Sequence, residues 1–156
     1  MLRRQFASAA VAFLLLLSSD GRSAEDLGYD PKADPFAQLE QGVALAKAQD
    51  KLVLLISGGD WCVWCHYLNA FVKGNADVER QLYDTFVVVK VYVGDENKNE
   101  RFFSNWPEAA GAPHFWVFST DGNLLSSQPT LVLEDGDKSY DKQKVLDFIG
   151  RWKNRA

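Results

Sequence analysis

The sequence has few of the residues that bind metals, haem or nucleic acids. Its 156 residues include two cysteines, two histidines and one methionine. The 21 acidic residues outnumber the 17 basic ones, which gives a net charge of -4. This balance argues against a nucleic-acid partner, because phosphate binding depends on clustered lysine and arginine. Apolar residues make up 47% of the chain, enough for the packed core of one domain.

The sequence also lacks an apolar run of the roughly 20 residues that a membrane-spanning helix needs. The best candidate, residues 6–17, is shorter; it follows two arginines and precedes the small residues Ser23 and Ala24. That pattern is typical of a secretory signal peptide. We therefore expect residues 1–24 to be a cleavable signal peptide. The mature protein is then expected to be soluble and periplasmic, or otherwise secreted.

The two cysteines, Cys62 and Cys65, are separated by two residues. The continuous apolar run 52–56 precedes them and is typical of a strand buried on both faces. Two thiols at such a strand-to-helix turn can close into a disulfide and so carry two electrons. At the start of a helix, unpaired backbone N–H groups would also stabilise a Cys62 thiolate.

Three other interpretations of the pair follow from its neighbours. With His66 the cysteines form C-x-x-C-H, the signature of c-type haem attachment, for which His114 would be the second ligand because Met1 lies in the signal peptide. The same two histidines and two cysteines could instead bind zinc. A purely structural disulfide is the third interpretation, although a two-residue loop stabilises the fold less than a long-range bridge.

Hydrophobic periodicity predicts alternating helices and strands after residue 35. Residues 25–35 are polar, contain two prolines and are expected to form an extended lead-in outside the core. Helices are predicted at 35–49, 65–73, 76–83, 101–106 and 145–152, and strands at 52–56, 86–93, 115–118 and 124–125. This order is that of an α/β protein, with three layers and a central mixed sheet flanked by helices.

From about residue 36 to residue 152 the chain resembles the thioredoxin superfamily. The resemblance is carried by the W-C-V-W-C sequence at 61–65 after a buried strand, the G-A-P sequence at 111–113, and an Asp-Gly hairpin at 121–122. The segment 59–65 is most similar to periplasmic members, including the C-terminal domain of the DsbD transmembrane reductases. The resemblance implies a thioredoxin-like domain over residues 36–156.

The resemblance also implies a role for each residue of the motifs. Cys62 would be the attacking thiol and Cys65 the resolving thiol, with no cofactor other than the redox-active disulfide between them. The residues expected to bind substrate are Trp61, Trp64, Ala112 and Pro113, the last as a cis-proline that leaves Ala112 free to pair with substrate main chain. From the residues alone, Trp61 fits core packing equally well, Trp64 is expected to be exposed, and a trans Pro113 remains open.

The sequence departs from the superfamily where proton transfer is concerned. Members commonly bury an aspartate six positions before the first cysteine, and Ile56 occupies that position here. Lys90 matches the usual lysine on the next strand. We therefore take Asp60, His66 and Lys90 as the candidates for proton transfer or electrostatic tuning.

The expected function is that of an extracytoplasmic protein disulfide oxidoreductase. It would act as a monomer on exported protein thiols and disulfides, reduce the disulfides, and be recharged by a membrane electron-transfer partner. No metal and no nucleic acid are expected to take part. The alternatives are a thioredoxin-like binding or chaperone module without turnover, and haem attachment at Cys62, Cys65 and His66.

Overall fold

The computed structural model describes residues 26–153 and residue 155. The predicted signal peptide at 1–24 lies outside the described residues and stays a prediction. Within the described part, the elements are α1 Pro35–Gln49, β1 Leu52–Gly58, α2 Val63–Gly74, α3 Ala76–Thr85, β2 Phe86–Tyr92, α4 Glu100–Phe103, β3 His114–Phe118, β4 Leu124–Pro129, a 3-10 turn Thr130–Leu133, and α5 Lys142–Trp152. No helix among these residues is both long enough and apolar enough to cross a bilayer.

The four strands of the described chain form one mixed sheet in the order β2-β1-β3-β4. Strand β1 runs parallel to β2 and antiparallel to β3, and β3 pairs with β4 as an antiparallel hairpin. Strand β1 is buried along its whole length, as expected of a central strand with a continuous apolar sequence. The predicted α/β class with a central mixed sheet is confirmed.

Each face of the sheet carries its own apolar core, because successive side chains of a strand point to opposite faces. Leu54 and Ile56 of β1 pack on one face with residues of α2, α3 and α5. Val53 and Leu55 pack on the other face with Trp116 and residues of α1 and α4. Burying each such side chain contributes roughly 1.5–3 kcal/mol. The cysteine pair therefore lies at the end of a strand that is fixed from both sides.

The predicted elements are present, with differences at their ends. Helix α1 begins as predicted, with the Asp34 carboxylate accepting a hydrogen bond from the Phe36 N–H at 2.9 Å. Helix α2 begins at Val63, between the cysteines, and β1 extends to Gly58. The 3-10 turn after β4 was not predicted, because four residues carry too little periodicity.

The prediction that the lead-in lies outside the core is wrong. Leu27 and Tyr29 are only 3% and 8% exposed, and they form a third apolar cluster with Cys62, Cys65 and Tyr92. The Leu27 N–H donates to the Asp60 carboxylate at 3.1 Å, and the Lys90 ammonium donates to the Leu27 carbonyl. Gly28, which has a φ of 81°, bends the segment between the two apolar residues; both are buried, while residues 26, 28 and 30 face solvent.

Candidate active site

The cysteine pair lies at the first turn of α2. Cys62 is the N-cap residue, and its Sγ accepts a hydrogen bond from the Cys65 backbone N–H at 3.2 Å. The two cysteines are joined by a disulfide. When the pair is reduced, the Cys62 sulfur lies where unpaired N–H groups and the positive end of the helix dipole stabilise a thiolate.

The two sulfurs have different surroundings. The Cys62 Sγ lies 3.4 Å from the carbonyl oxygen of Ala112, in the loop before β3. Cys65 instead lines a small pocket of about 40 Å³, the inner cavity, together with Tyr29, Ile56 and Lys90; the exposed side chain of Tyr83 also lines it. Cys62 thus adjoins the loop that is expected to bind substrate, while Cys65 faces the inner cavity, and both cysteines are almost fully buried.

The loop before β3 is held by contacts on both sides of Pro113. The peptide bond between Ala112 and Pro113 is cis. Gly111 has a φ of 127°, a backbone angle that residues other than glycine rarely adopt. The buried Thr130 hydroxyl donates to the Pro113 carbonyl at 2.6 Å. The unpredicted 3-10 turn therefore positions the loop that faces Cys62.

Trp61 lies at the surface beside the pair, with 59% of its area exposed. Its indole N–H donates to the Val93 carbonyl at 2.8 Å. Gly59 and Gly94 flank the ring so closely that a Cβ atom at either position would come within 3.0 Å of it. The ring is therefore fixed in orientation while one face stays open, as a surface that binds polypeptide requires.

Trp64 is half-buried rather than exposed, so that prediction is wrong. Its ring packs edge-to-face against Tyr67 at 5.3 Å and against Tyr140 at 5.9 Å. Tyr140 comes from the segment before α5, and its hydroxyl lies 3.5 Å from the Trp64 carbonyl. Burial raises the pKa of Tyr140 to about 12. Only the tertiary fold brings this segment over the first turn of α2.

An apolar cleft of about 600 Å³, which the sequence analysis missed, opens beside Trp61 and Ala112. Its walls include Phe103, Trp106 and Trp116. Its rim carries the charged residues Asp95, Lys98, Glu100 and Glu108. Two residues of the lining, Ser57 and Trp116, have buried polar side-chain atoms that form no hydrogen bond with residues 26–153 or 155.

Of the three proton-transfer candidates, Asp60 and His66 lie on the outer side of the pair. The Asp60 carboxylate accepts from Leu27, and the His66 Nε2 is 2.8 Å from the Asp60 carbonyl, which requires that nitrogen to be the donor. Lys90 lies directly opposite Ile56 in the register of β1 and β2 and lines the inner cavity. Its ammonium is 5.5 Å from the centre of the Tyr29 ring.

The metal interpretations would need His114 as a ligand beside the cysteine pair. His114 is 1% exposed, its Nε2 lies 2.8 Å from the Ser127 hydroxyl, and burial lowers its pKa to about 4. It is a packed strand residue, as expected. Residues 26–153 and 155 contain no group of three or more His, Cys, Asp or Glu side chains placed to hold a metal ion.

The chain is similar to known thiol-disulfide proteins. A curated relative, the thiol:disulfide interchange protein DsbD of Colwellia psychrerythraea (strain 34H / ATCC BAA-681), is 28% identical over 96 residues, which cover 61% of this chain and 16% of the relative. The chain thus spans only a small part of that protein.

Solved structures have the same fold. The disulphide isomerase from Xylella fastidiosa Temecula1 is 25% identical, with a TM-score of 0.65 over 81% of this chain and 96% of that one. The oxidised DsbD C-terminal domain of Neisseria meningitidis is 18% identical, with a TM-score of 0.56 over 78% and 97%. The second likeness concerns the fold alone.

A family model described as thioredoxin-like matches residues 34–119, more than half of the chain. The match runs from the N-cap of α1 through the cysteine pair and the Ala112–Pro113 loop to the end of β3. It agrees with the resemblance found in the sequence and with the observed sheet. The chain therefore belongs to the thioredoxin-like family.

Proposed function

We propose that this protein is an extracytoplasmic thiol-disulfide oxidoreductase that reduces disulfides in exported proteins. The observation that carries the proposal is the asymmetry of the pair: the Cys62 sulfur adjoins Ala112 at 3.4 Å, whereas Cys65 lines the inner cavity with Tyr29, Ile56 and Lys90. The names of the relatives, an interchange protein and a disulphide isomerase, support thiol-disulfide chemistry. They leave the direction of electron flow to experiment.

The reaction takes two displacements at sulfur. The Cys62 thiolate attacks one sulfur of the substrate disulfide, forms a mixed disulfide, and releases the other substrate sulfur as a thiolate. The Cys65 thiolate then attacks the Cys62 sulfur, the bond between Cys62 and the substrate breaks, and the second substrate thiolate leaves. The protein ends as the Cys62–Cys65 disulfide. Two electrons from a reductant, which we propose is a membrane electron-transfer protein, restore the dithiol.

The surface around Cys62 suits an extended polypeptide. The backbone of Ala112 would pair with substrate main chain, and the open face of Trp61 would contact a neighbouring side chain. The apolar cleft would take a further side chain, and the unpaired polar atoms of Ser57 and Trp116 could bond to its polar end. Trp64, half-buried, would support the first turn of α2 rather than bind substrate.

The test is reduction of insulin disulfides by the dithiol form, with trapping variants. Cys65→Ser should accumulate mixed disulfides with protein substrates, because nothing resolves them, and Cys62→Ser should accumulate none. The matched pair differs only in which sulfur remains. Failure of the wild-type protein to reduce insulin would favour the alternative of a binding or chaperone module. Faster alkylation of Cys65 than of Cys62 by iodoacetamide would contradict the assigned order.

The direction of electron flow is tested separately in cells. A reductant should be found mainly as the dithiol when thiols are trapped by acid and alkylated. If the pair is instead stably oxidised and its reduction potential is about -120 mV, as in strong oxidants, the protein is an oxidase. Because one structural neighbour is a disulphide isomerase, the recovery of scrambled ribonuclease should be measured alongside; we expect it to be slower than insulin reduction.

A further inference from the structure

Resolution of the mixed disulfide requires Cys65 to lose its proton inside the protein. Ile56, where the superfamily commonly has an acid, is 5% exposed and has no atom that accepts a proton. Asp60 and His66 are engaged on the outer side of the pair. Lys90 lines the cavity with Cys65, but its ammonium donates to the Leu27 carbonyl. If the proposed function holds, a group other than these three can carry this proton.

Tyr29 lies beside Cys65 at the end of β1. Gly58 separates them: a Cβ atom built on Gly58 would lie 2.5 Å from the Cys65 Sγ and 3.0 Å from the Tyr29 hydroxyl oxygen. The sulfur and the hydroxyl thus face the same small space, which is open because residue 58 has no side chain. The contact arises from the lead-in, which docks on the cysteine pair through Leu27 and Tyr29.

Tyr29 also lines two neighbouring spaces. It lines the inner cavity, together with Ile56, Cys65 and Lys90. It lines as well a second cleft of about 460 Å³ at the surface, the outer cleft, whose other residues include Asp60, Asp95 and Glu96. Among the residues that line the inner cavity and the outer cleft, Tyr29 is the one that lines both.

We propose that the Tyr29 hydroxyl relays the proton of Cys65 to water in the outer cleft when the mixed disulfide is resolved. The Tyr29 oxygen accepts the proton from the Cys65 thiol as its own proton passes to a water molecule beside Asp60. The freed Cys65 electron pair forms the bond to the Cys62 sulfur, and the substrate sulfur leaves as a thiolate with the electron pair of the broken bond. Tyr29 is neutral before and after the step.

The charged and titratable groups around Tyr29 are compatible with a relay. Asp60 faces it from the loop before α2, Lys90 from β2 and Tyr140 from the segment before α5, while Tyr92 shares its cluster. Burial, with Tyr140 and Asp60 adding to it, raises the pKa of Tyr29 above its ordinary value. The hydroxyl therefore stays protonated at neutral pH. A neutral hydroxyl can accept one proton while it donates another.

The test compares Tyr29→Phe with Tyr67→Phe by stopped-flow tryptophan fluorescence, with hydroxyethyl disulfide as the substrate. Both variants keep their rings and lose one hydroxyl, but Tyr67 packs against Trp64 and lines neither the inner cavity nor the outer cleft. In a Cys65→Ser background only the first step, formation of the mixed disulfide, takes place, so its rate is measured alone. With Cys65 present and the substrate in excess, resolution appears as the second phase of the fluorescence change. Tyr29→Phe should slow resolution about a hundredfold or more at neutral pH, within the range of a lost proton-transfer group. The deficit should shrink as pH rises.

The first step should be unchanged in Tyr29→Phe, and both steps should be unchanged in Tyr67→Phe. Equal slowing of both steps by Tyr29→Phe would mean a packing role and would overturn the proposal, as would an unchanged resolution rate. If Tyr29→Phe does not fold, the solvent deuterium isotope effect on resolution by the wild-type protein provides a second test: a relay moves two protons together and should give a curved dependence of rate on deuterium fraction, and a linear dependence would overturn the relay. Failure of the proposed function would appear instead as an inactive wild-type protein.

Discussion

At the residue scale, Ile56 determines how the resolving thiol loses its proton. Its side chain lies in the core beside the cavity that Cys65 lines, and Lys90 lies opposite it. An acid at this position would be able to accept the Cys65 proton directly, as the superfamily aspartate does. The present arrangement gives apolar packing instead of a buried base.

Ile56→Asp should therefore speed resolution at pH 7 and lower stability. We expect a loss of about 2–5 kcal/mol, from lost apolar packing and the burial of a polar group. Stopped-flow fluorescence and urea unfolding measure the two effects, and Ile56→Asn is the control because it is polar but not basic. An Ile56→Asp protein that is folded yet resolves at the wild-type rate would show that the missing acid does not limit the reaction.

His114 makes stability depend on pH. Its folded pKa of about 4 lies below the ordinary value of 6.5, so the unfolded chain binds a proton more readily than the folded protein does. Above pH 6.5 the histidine is mainly neutral in both states, so its titration does not lower the free energy of unfolding. As pH falls from 6.5 toward 4, the free energy of unfolding should drop by up to about 3 kcal/mol from this group.

His114→Gln should remove that part of the acid sensitivity while keeping a hydrogen bond to Ser127 within reach. Urea unfolding of wild type and variant at about pH 7 and pH 5 measures it. The difference between the two proteins is the relevant quantity, because carboxylates titrate in both. Parallel losses of stability in the two proteins would contradict the assignment to His114.

At the element scale, the contact of α1 with the sheet depends on Gly42. A Cβ at this position would overlap the Val89 side chain of β2, whereas a Cβ at Gly150 of α5 would meet nothing within 4 Å. Both glycines lie inside helices, where alanine is intrinsically better by about 0.8–1.0 kcal/mol. The two positions therefore separate helix propensity from packing.

Gly42→Ala should be destabilising, because overpacking costs about 1–3 kcal/mol and outweighs the gain in propensity. Gly150→Ala should be stabilising by about 0.5–1 kcal/mol. Thermal and urea unfolding of the two variants measure the contrast. Two changes of the same sign would mean that α1 can move away from β2 at little cost.

At the scale of the whole molecule, negative charge is concentrated around the exposed side of the cysteine pair. The net charge is -4, and the two clefts that flank Trp61 carry Asp60, Asp95, Glu96, Glu100 and Glu108 against Lys98. Charge of one sign around a cleft attracts ligands of the opposite sign. Substrates with basic residues near the disulfide should therefore react faster.

Cystamine, which is cationic, should be reduced faster than dithiodipropionate, which is anionic, at low ionic strength. The ratio of the second-order rate constant for cystamine to that for dithiodipropionate should fall at about 1 M salt, where the Debye length is about 3 Å. It should approach the ratio for the uncatalysed exchange of the two disulfides. Exchange of both disulfides with dithiothreitol is the control for their intrinsic reactivity. A ratio independent of salt would mean that the acidic residues do not affect binding.

The sequence by itself determined the fold class and the place of the pair. The buried run of β1, the period of the helices and the spacing of Cys62 and Cys65 are local patterns, and local patterns reflect backbone geometry directly. They predicted the mixed sheet, the helix that starts at the pair and the loop at Pro113. They also predicted that His114 is packed.

Only the tertiary structure decided which residues surround the two sulfurs. Tyr29 is 36 residues from Cys65 in the sequence, and its polar, proline-containing segment gave no periodic signal. Trp64 is half-buried against Tyr140, and residues of the short helix α4, of the loop after it and Trp61 together line the apolar cleft. These contacts join distant parts of the chain, and no local pattern encodes them. The path of the Cys65 proton, which depends on them, therefore follows from packing rather than from the C-x-x-C motif.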